Sequence, residues 1–245
     1  MIKPYKDLPG TRKQQVMDMF NAIAVRYDFL NHFLSFNTDV RWRRKVTRAI
    51  RKLAANAQIP LKNLKILDVA TGTGDLAFEL SKLQPASVTG VDIAENMLTI
   101  ARKKAEQKSM QSIQFLSGDS EALDFPPDTF DFVTVAFGVR NFENLEKGVS
   151  EMLRVLKPGG SLLILEFSQP SGVMGYLYKF YSRRILPSLA GMFAADSRAY
   201  QYLPDSIYAF PHGEKMKNIL LQTGFKTSDF QKLSGGIASI YISGK

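Results

Sequence analysis

Asp68-Val69-Ala70-Thr71-Gly72-Thr73-Gly74-Asp75 gathers two acids, two hydroxyls and two glycines into eight residues. That composition suits a polar ligand lying against bare backbone, because glycine lets the chain turn tightly and approach closely. Asp92 follows Gly74 by 18 residues, the place where an acid can hold ribose hydroxyls. Asp119-Ser120 comes after a third apolar run, where a carboxylate can meet an adenine amino group. Gly72 to Ala77 also satisfies the loose G-x-G-x-x-A pattern of dinucleotide sites, so two cofactors must be separated. Charge separates them. A pyrophosphate at this helix N-terminus would lie beside Asp75, and like charges at that distance cost about 1 kcal/mol or more unless well solvated. S-adenosylmethionine has no phosphate and carries an ammonium and a sulfonium, which Asp68, Asp75, Asp92 and Asp119 suit. The expected cofactor is S-adenosylmethionine, held by Asp68, Gly72, Thr73, Gly74, Asp92, Asp119 and Ser120.

These residues need strands and helices in alternation to position them. Runs at 66–69, 88–91, 113–116, 130–137 and 162–167 read as buried strands. Segments 75–83, 94–108 and 145–156 read as the helices between them, the last terminated by Lys157-Pro158-Gly159-Gly160. That order predicts an α/β, doubly wound (Rossmann-like), mostly parallel sheet. Strands near 225–232 and 237–243, after a helix at 213–223, add an antiparallel edge pair and make seven. Ahead of the sheet, Thr11-x-x-Gln14 has the form of a capping box and opens a helix expected over 11–25. A second helix follows the cap residues Asn37-Thr38-Asp39. Its apolar stripe is Trp42, Val46, Ala49, Ile50 and Leu53, and its other face is cationic from Arg41 to Lys52. A Tyr- and Arg-rich stretch at about 173–193 reads as a helical insert. The whole, 1–245, is expected to be a single domain, with 1–60 as an N-terminal helical cap and 170–212 as the insert.

Composition narrows the chemistry further. The chain has 245 residues, 45% of them hydrophobic, which excludes wholesale disorder. It has no Cys, so there is no disulfide framework, thiolate nucleophile, zinc ribbon or iron–sulfur cluster. His32 and His212 are the only histidines, too few for a histidine-rich metal site, and no metal is expected. The opening Met-Ile-Lys-Pro-Tyr-Lys-Asp lacks an apolar signal core, and apolar runs reach only about four residues, far short of a bilayer span. A net charge of +9 admits nucleic acid, an anionic membrane surface or an anionic substrate.

Residues 27–42, Tyr27-Asp28-Phe29-Leu30-Asn31-His32 through to Arg41-Trp42, closely resemble the first signature of the UbiE/MenG quinone C-methyltransferases. Arg154-Val155-Leu156-Lys157-Pro158-Gly159-Gly160 through to Glu166-Phe167-Ser168 resemble the second. Phe137-Gly138-Val139-Arg140-Asn141, Tyr202-Leu203-Pro204-Asp205-Ser206-Ile207 and Phe210-Pro211 extend the likeness, which runs from about residue 15 to 243. The sequence departs from that family's usual residues at Leu30, Asp39, Thr71 and Ala136. The resemblance implies a class I methyltransferase fold and transfer of a methyl group to a ring carbon of a prenylated quinol. Demethylmenaquinol is the first expectation, and a ubiquinone precursor is the other family substrate.

That chemistry needs an electron-rich ring, so the site must favour a quinolate in a dry environment. Arg140 can stabilise the developing anion, although its guanidinium stays protonated and cannot itself accept a proton. Asp28 or an oriented water is the candidate base, and Asn141 can hydrogen-bond a ring oxygen. Tyr27 and Asn31 are expected to close over the ring, with Tyr202 and Tyr208 contributing from the insert. A bilayer-dwelling substrate makes the basic helix at 41–52 and the stretch at 176–184 a candidate contact with anionic lipid. The expected location is therefore cytoplasmic, peripheral on the inner face of the plasma membrane. A homodimer is compatible with the sequence. An RNA-modifying enzyme would use the same basic helix, but no appended RNA-binding module is legible, so no nucleic-acid partner is expected.

Overall fold

The structure, a computed structural model, describes residues 2–5, 9–35, 37–110, 112–172, 175–176 and 197–245. The expected helical stretch at 173–193 lies, apart from residues 175–176, outside the described residues.

Helix α1 spans Arg12–Leu34. Thr11 Oγ1 accepts the Gln14 N–H at 3.2 Å, while the Gln14 amide turns to Asp18, so the capping box closes on one side only. The helix continues nine residues past the end expected near 25. Residues 26–34 contain no Gly or Pro to stop it, and the Asp28–Lys104 ion pair and the contact of His32 Nδ1 with Asp39 at 2.9 Å hold that half in place. Helix α2 spans Thr38–Asn56. Asn37 precedes it in a left-handed conformation (φ 55°) and makes no side-chain cap bond. Its Trp42, Val46 and Ile50 are buried as the stripe predicts.

The sheet contains β1 (Lys65–Val69), β2 (Ser87–Asp92), β3 (Ile113–Ser117), β4 (Phe130–Ala136), β5 (Leu156–Phe167), β6 (Thr227–Leu233) and β7 (Ala238–Gly244). Their order is β3-β2-β1-β4-β5-β7-β6. The first five are parallel, and β7 runs antiparallel to both β5 and β6. The remaining helices are α3 (Asp75–Ser81), α4 (Glu95–Gln107), α5 (Leu145–Val155), α6 (Ser197–Ala209) and α7 (Glu214–Thr223). One core packs α2, α3 and α4 on one sheet face, and a second packs α5 and α7 on the other. Leu162 to Leu165 are fully buried for that reason: alternate side chains enter alternate cores. A third cluster joins α1 to α4 and to Tyr202 of α6.

Lys157–Gly160 does more than end a helix. β5 begins at Leu156, directly after α5, and pairs with Phe130, yet Phe132 pairs with Ser161. The extra residues bulge out of the ladder, with Gly159 at φ 79° and Gly160 too close to the Asp131 carbonyl (2.8 Å) to carry a Cβ. The strand expected from Leu162 therefore starts six residues earlier.

Candidate functional site

Between β1 and β4 the strand order reverses, and in open α/β sheets ligands bind in the crevice at that point, outside the carboxyl ends of the strands. A cleft enclosing about 700 Å³ of space, part of it open to solvent, lies there. Its floor comes from the ends of four strands: Ala70 and Gly72, Asp92 and Ile93, Gly118 to Ser120, and Ala136 to Gly138. Helix α1 covers one side with Lys13, Val16, Phe20 and Tyr27, and Asn141, Phe142 and Glu143 close another.

Local backbone conformation shapes this floor. Gly72 sits at φ 57° with nothing within 4 Å of where a Cβ would be, so its surface is open to a ligand. Gly74, at φ 84°, precedes α3 and packs so tightly on Phe115 that a Cβ would lie 2.7 Å from the ring. Ala70 (φ 51°) and Phe137 (φ 57°) take left-handed conformations at the ends of β1 and β4, a costly choice for a residue with a side chain and one that concentrates at functional sites. Gly138 is required between them, since a Cβ there would come within 2.6 Å of the Ala70 Cβ.

The predicted polar residues separate into three groups. Asp92 and Asp119 line the cleft. Asp92 accepts the Gly72 and Ala94 N–H groups, each at 2.8 Å. Burial pushes its carboxyl up from the ordinary range, against the pull of those N–H groups. At Asp119 burial also pushes upward, but Lys13 Nζ at 2.7 Å and the Glu121 N–H together outweigh it and hold the carboxyl low. Gly72, Ser120, Tyr27 and Asn141 share the cleft with them.

A second group lies beneath or beside the cleft. Asp68 is buried and accepts the hydroxyls of Thr71 (2.6 Å) and Thr134 (2.8 Å). Burial raises it to about 6 despite both hydroxyls. The Thr73 hydroxyl donates to Asp28 of α1, and Lys104 Nζ bridges Asp28 (2.8 Å) and Asp75 (2.9 Å). Asp75 is paired in addition with Arg43, while His32 lies between Asp39 and Asp75. Of the four acids expected to face a cationic ligand, two reach the cleft and two do not, Asp68 sitting below it and Asp75 turning toward α2 and α4.

The third group surrounds the short 3-10 turn Val139–Asn141. Arg140 is buried in an ion pair with Glu166 at 2.9 Å, donates to the Phe137 carbonyl, and lies over the Phe167 ring. Burial raises the Glu166 carboxyl, which the neighbouring Arg140 only partly offsets. Among the described residues Arg140 Nε has no hydrogen-bond partner. The Tyr202 hydroxyl donates to Asn141 Oδ1 at 3.0 Å. Tyr208 does not join them: it lines a second pocket with Gln169, Pro170 and Tyr176. Asn31 lies on α1, but its side chain is outside the described residues.

Sequence reasoning missed Lys13 and Glu121. Glu121 accepts the Glu143 and Asn144 N–H groups and pairs with Lys13, tying the end of β3 to the residues after the 3-10 turn. The only available signal for Lys13 was the capping box, which places it in the first turn of α1 without giving its direction.

With this geometry in place, similarity to known proteins adds a separate finding. The model of the ubiE/COQ5 methyltransferase family matches residues 9–245. The chain is 43% identical over 247 residues to the demethylmenaquinone methyltransferase of Bacteroides fragilis, covering 100% of this chain and 97% of that one. It is 45% identical over 226 residues to the demethylmenaquinone methyltransferase of Thermus thermophilus, covering 91% and 98%. Among solved structures, a SAM-dependent methyltransferase of Thermotoga maritima superposes with a TM-score of 0.65 at 17% identity, covering 94% of this chain and 99% of that one, a likeness of fold alone.

Proposed function

The chain belongs to the ubiE/COQ5 methyltransferase family and is an S-adenosylmethionine-dependent C-methyltransferase; from that premise we propose that it methylates a ring carbon of demethylmenaquinol to give menaquinol. One observation carries the reading of the site: the cleft lined by Gly72, Asp92 and Asp119 is the same cleft lined by Tyr27 and Asn141.

The residues fit the cofactor. Gly72 offers open backbone, Asp92 keeps acceptor capacity for ribose hydroxyls, and Asp119 with Ser120 suits an adenine edge. Asp68 would act from below by fixing Thr71, and Thr73 and Gly74 by setting the loop. When bound, S-adenosylmethionine supplies an electrophilic methyl group on a positively charged sulfur. Everything else is the work of the chain. Phe20, Phe137 and Phe142 keep water from the reacting centres, and holding two reactants in line lowers the barrier by avoiding an entropy cost. Asn141, which lines the cleft, hydrogen-bonds the quinolate oxygen, and Arg140, buried behind it with no partner for its Nε among the described residues, adds positive potential toward that oxygen. Asp28, fixed by Thr73 and Lys104, receives the ring proton directly or through a water.

The prenyl tail implies work at a membrane. Among the described residues no helix is long and apolar enough to cross one. Exposed Arg41, Arg44, Lys45, Arg48, Arg51 and Lys52 give α2 a cationic outer face, and each such residue adds roughly 1 kcal/mol near an anionic surface. Flotation with anionic vesicles at low salt should retain the protein, and no retention removes the membrane contact. The reaction is tested by incubating the protein with the cofactor and a short-chain demethylmenaquinol, a ubiquinone-precursor quinol or tRNA. A product heavier by one methyl group only from the first supports the proposal, and methylated tRNA alone overturns it.

A further inference from the structure

We infer that Arg12, in the first turn of α1, is a positioning residue for methyl transfer, holding the turn that carries Arg140 and Asn141 in its reactive shape; this rests on the function proposed above. Its guanidinium reaches across the fold and donates to the Phe142 carbonyl and, at 2.6 Å, to the Arg140 carbonyl. Those two carbonyls bracket Asn141 in the chain. The same guanidinium approaches the Tyr202 hydroxyl at 3.4 Å, and that hydroxyl donates to Asn141 Oδ1. Arg12 therefore fixes the backbone on both sides of Asn141 and, through Tyr202, its side chain.

Residue type and position both argue for a purpose beyond helix stability. A cation in the first turn of a helix opposes the helix dipole, and Arg12 and Lys13 open α1 with no acid in that turn. Arg12 is nevertheless buried, 9% exposed. The planar fork of a guanidinium can serve two carbonyls at once, which an ammonium on a flexible stem does poorly. Lys13, the next residue, points instead to Asp119 and Glu121. One helical turn thus serves both halves of the cleft: Lys13 reaches the cofactor side and Arg12 the quinol side. The consequence is that the reactive turn forms only when α1 and α6 are both docked.

Arg12→Met and Arg12→Lys test this in the full chain. Expected for both are a kcat lowered by about tenfold or more and S-adenosylmethionine affinity by calorimetry within about threefold of the parent. Amide hydrogen exchange should speed up over 138–144 but not over 70–74. Tyr202→Phe should slow turnover in the parent and add little to Arg12→Lys, as coupled groups do. Unchanged exchange over 138–144 overturns the inference, as does cofactor affinity lost in step with kcat. If Arg12→Met fails to fold, Arg12→Lys and Tyr202→Phe carry the decision. The exchange measurement uses no quinol, so it decides the role of Arg12 even if the parent protein leaves demethylmenaquinol unmethylated, which would instead overturn the function.

Discussion

The two walls of the cleft are held together in different ways. Around the loops that end β1 and β2, several partners are near in sequence: Thr71 bonds Asp68 three residues away, Ala94 bonds Asp92 two away, and Gly72 bonds Asp92 twenty away, although Thr134 also reaches Asp68 from 66 residues away. Around the 3-10 turn that carries Arg140 and Asn141 they are far: Glu166 is 26 residues from Arg140, Tyr202 is 61 from Asn141, and Arg12 is 128 and 130 from the carbonyls it binds. The loops after β1 and β2 thus fix much of their own shape. A wall assembled from both ends of the chain depends on the whole fold, so the two should fail separately.

The sharpest break should come at Glu166. Glu166→Ala leaves Arg140 charged and buried without its partner, which costs about 3–5 kcal/mol. Urea denaturation should show that loss, while the surviving folded protein keeps its cofactor affinity. Asp68 gives the next largest effect, through pH. Its folded value of about 6 lies above the ordinary aspartate value of 3.8, so the folded state binds more protons between those values and stability is lost as pH rises through them. Two pH units correspond to about 3 kcal/mol. Denaturation at pH 4 and pH 7 should show the parent losing about that much relative to Asp68→Asn, and parallel curves would sink the claim. Asp92→Ala should weaken S-adenosylmethionine binding about 100-fold, roughly 2.7 kcal/mol, by calorimetry, without the stability loss of Glu166→Ala. The smallest effect belongs to the link between the walls, the Thr73 hydroxyl on Asp28. Thr73→Val should cost about 1 kcal/mol, read as a loss of roughly fivefold in both cofactor affinity and kcat/KM for the quinol. A loss confined to one of them would mean that the walls are uncoupled there.

The same contrast explains what could be read in advance. Strands such as Leu162–Leu165 are legible because burial on both faces demands uninterrupted apolar residues. The loop from Asp68 to Asp75 is legible because glycine at positive φ leaves a trace in the sequence. Ala70 and Phe137 adopt the same conformation with no such trace. Arg12 and Lys13 look like any cations on a helix, since periodicity gives the face of a residue but not its distant partner. The extension of α1 to Leu34 leaves no mark in the sequence because contacts of Asp28 with Lys104 and of His32 with Asp39, both in other elements, hold it. Four acids were expected to face one ligand, yet the sequence could not reveal that Thr71 and Thr134 satisfy Asp68, or that Lys104 and Arg43 draw Asp75 away.

Strand β7 follows β6 along the chain and yet lies between β6 and β5. During synthesis, β5 must therefore wait with a bare flank of unpaired backbone until β7 emerges to fill the slot. A ribosome stalled between the two strands would release a chain whose missing piece is interior, with a gap that a neighbouring molecule's strand can occupy.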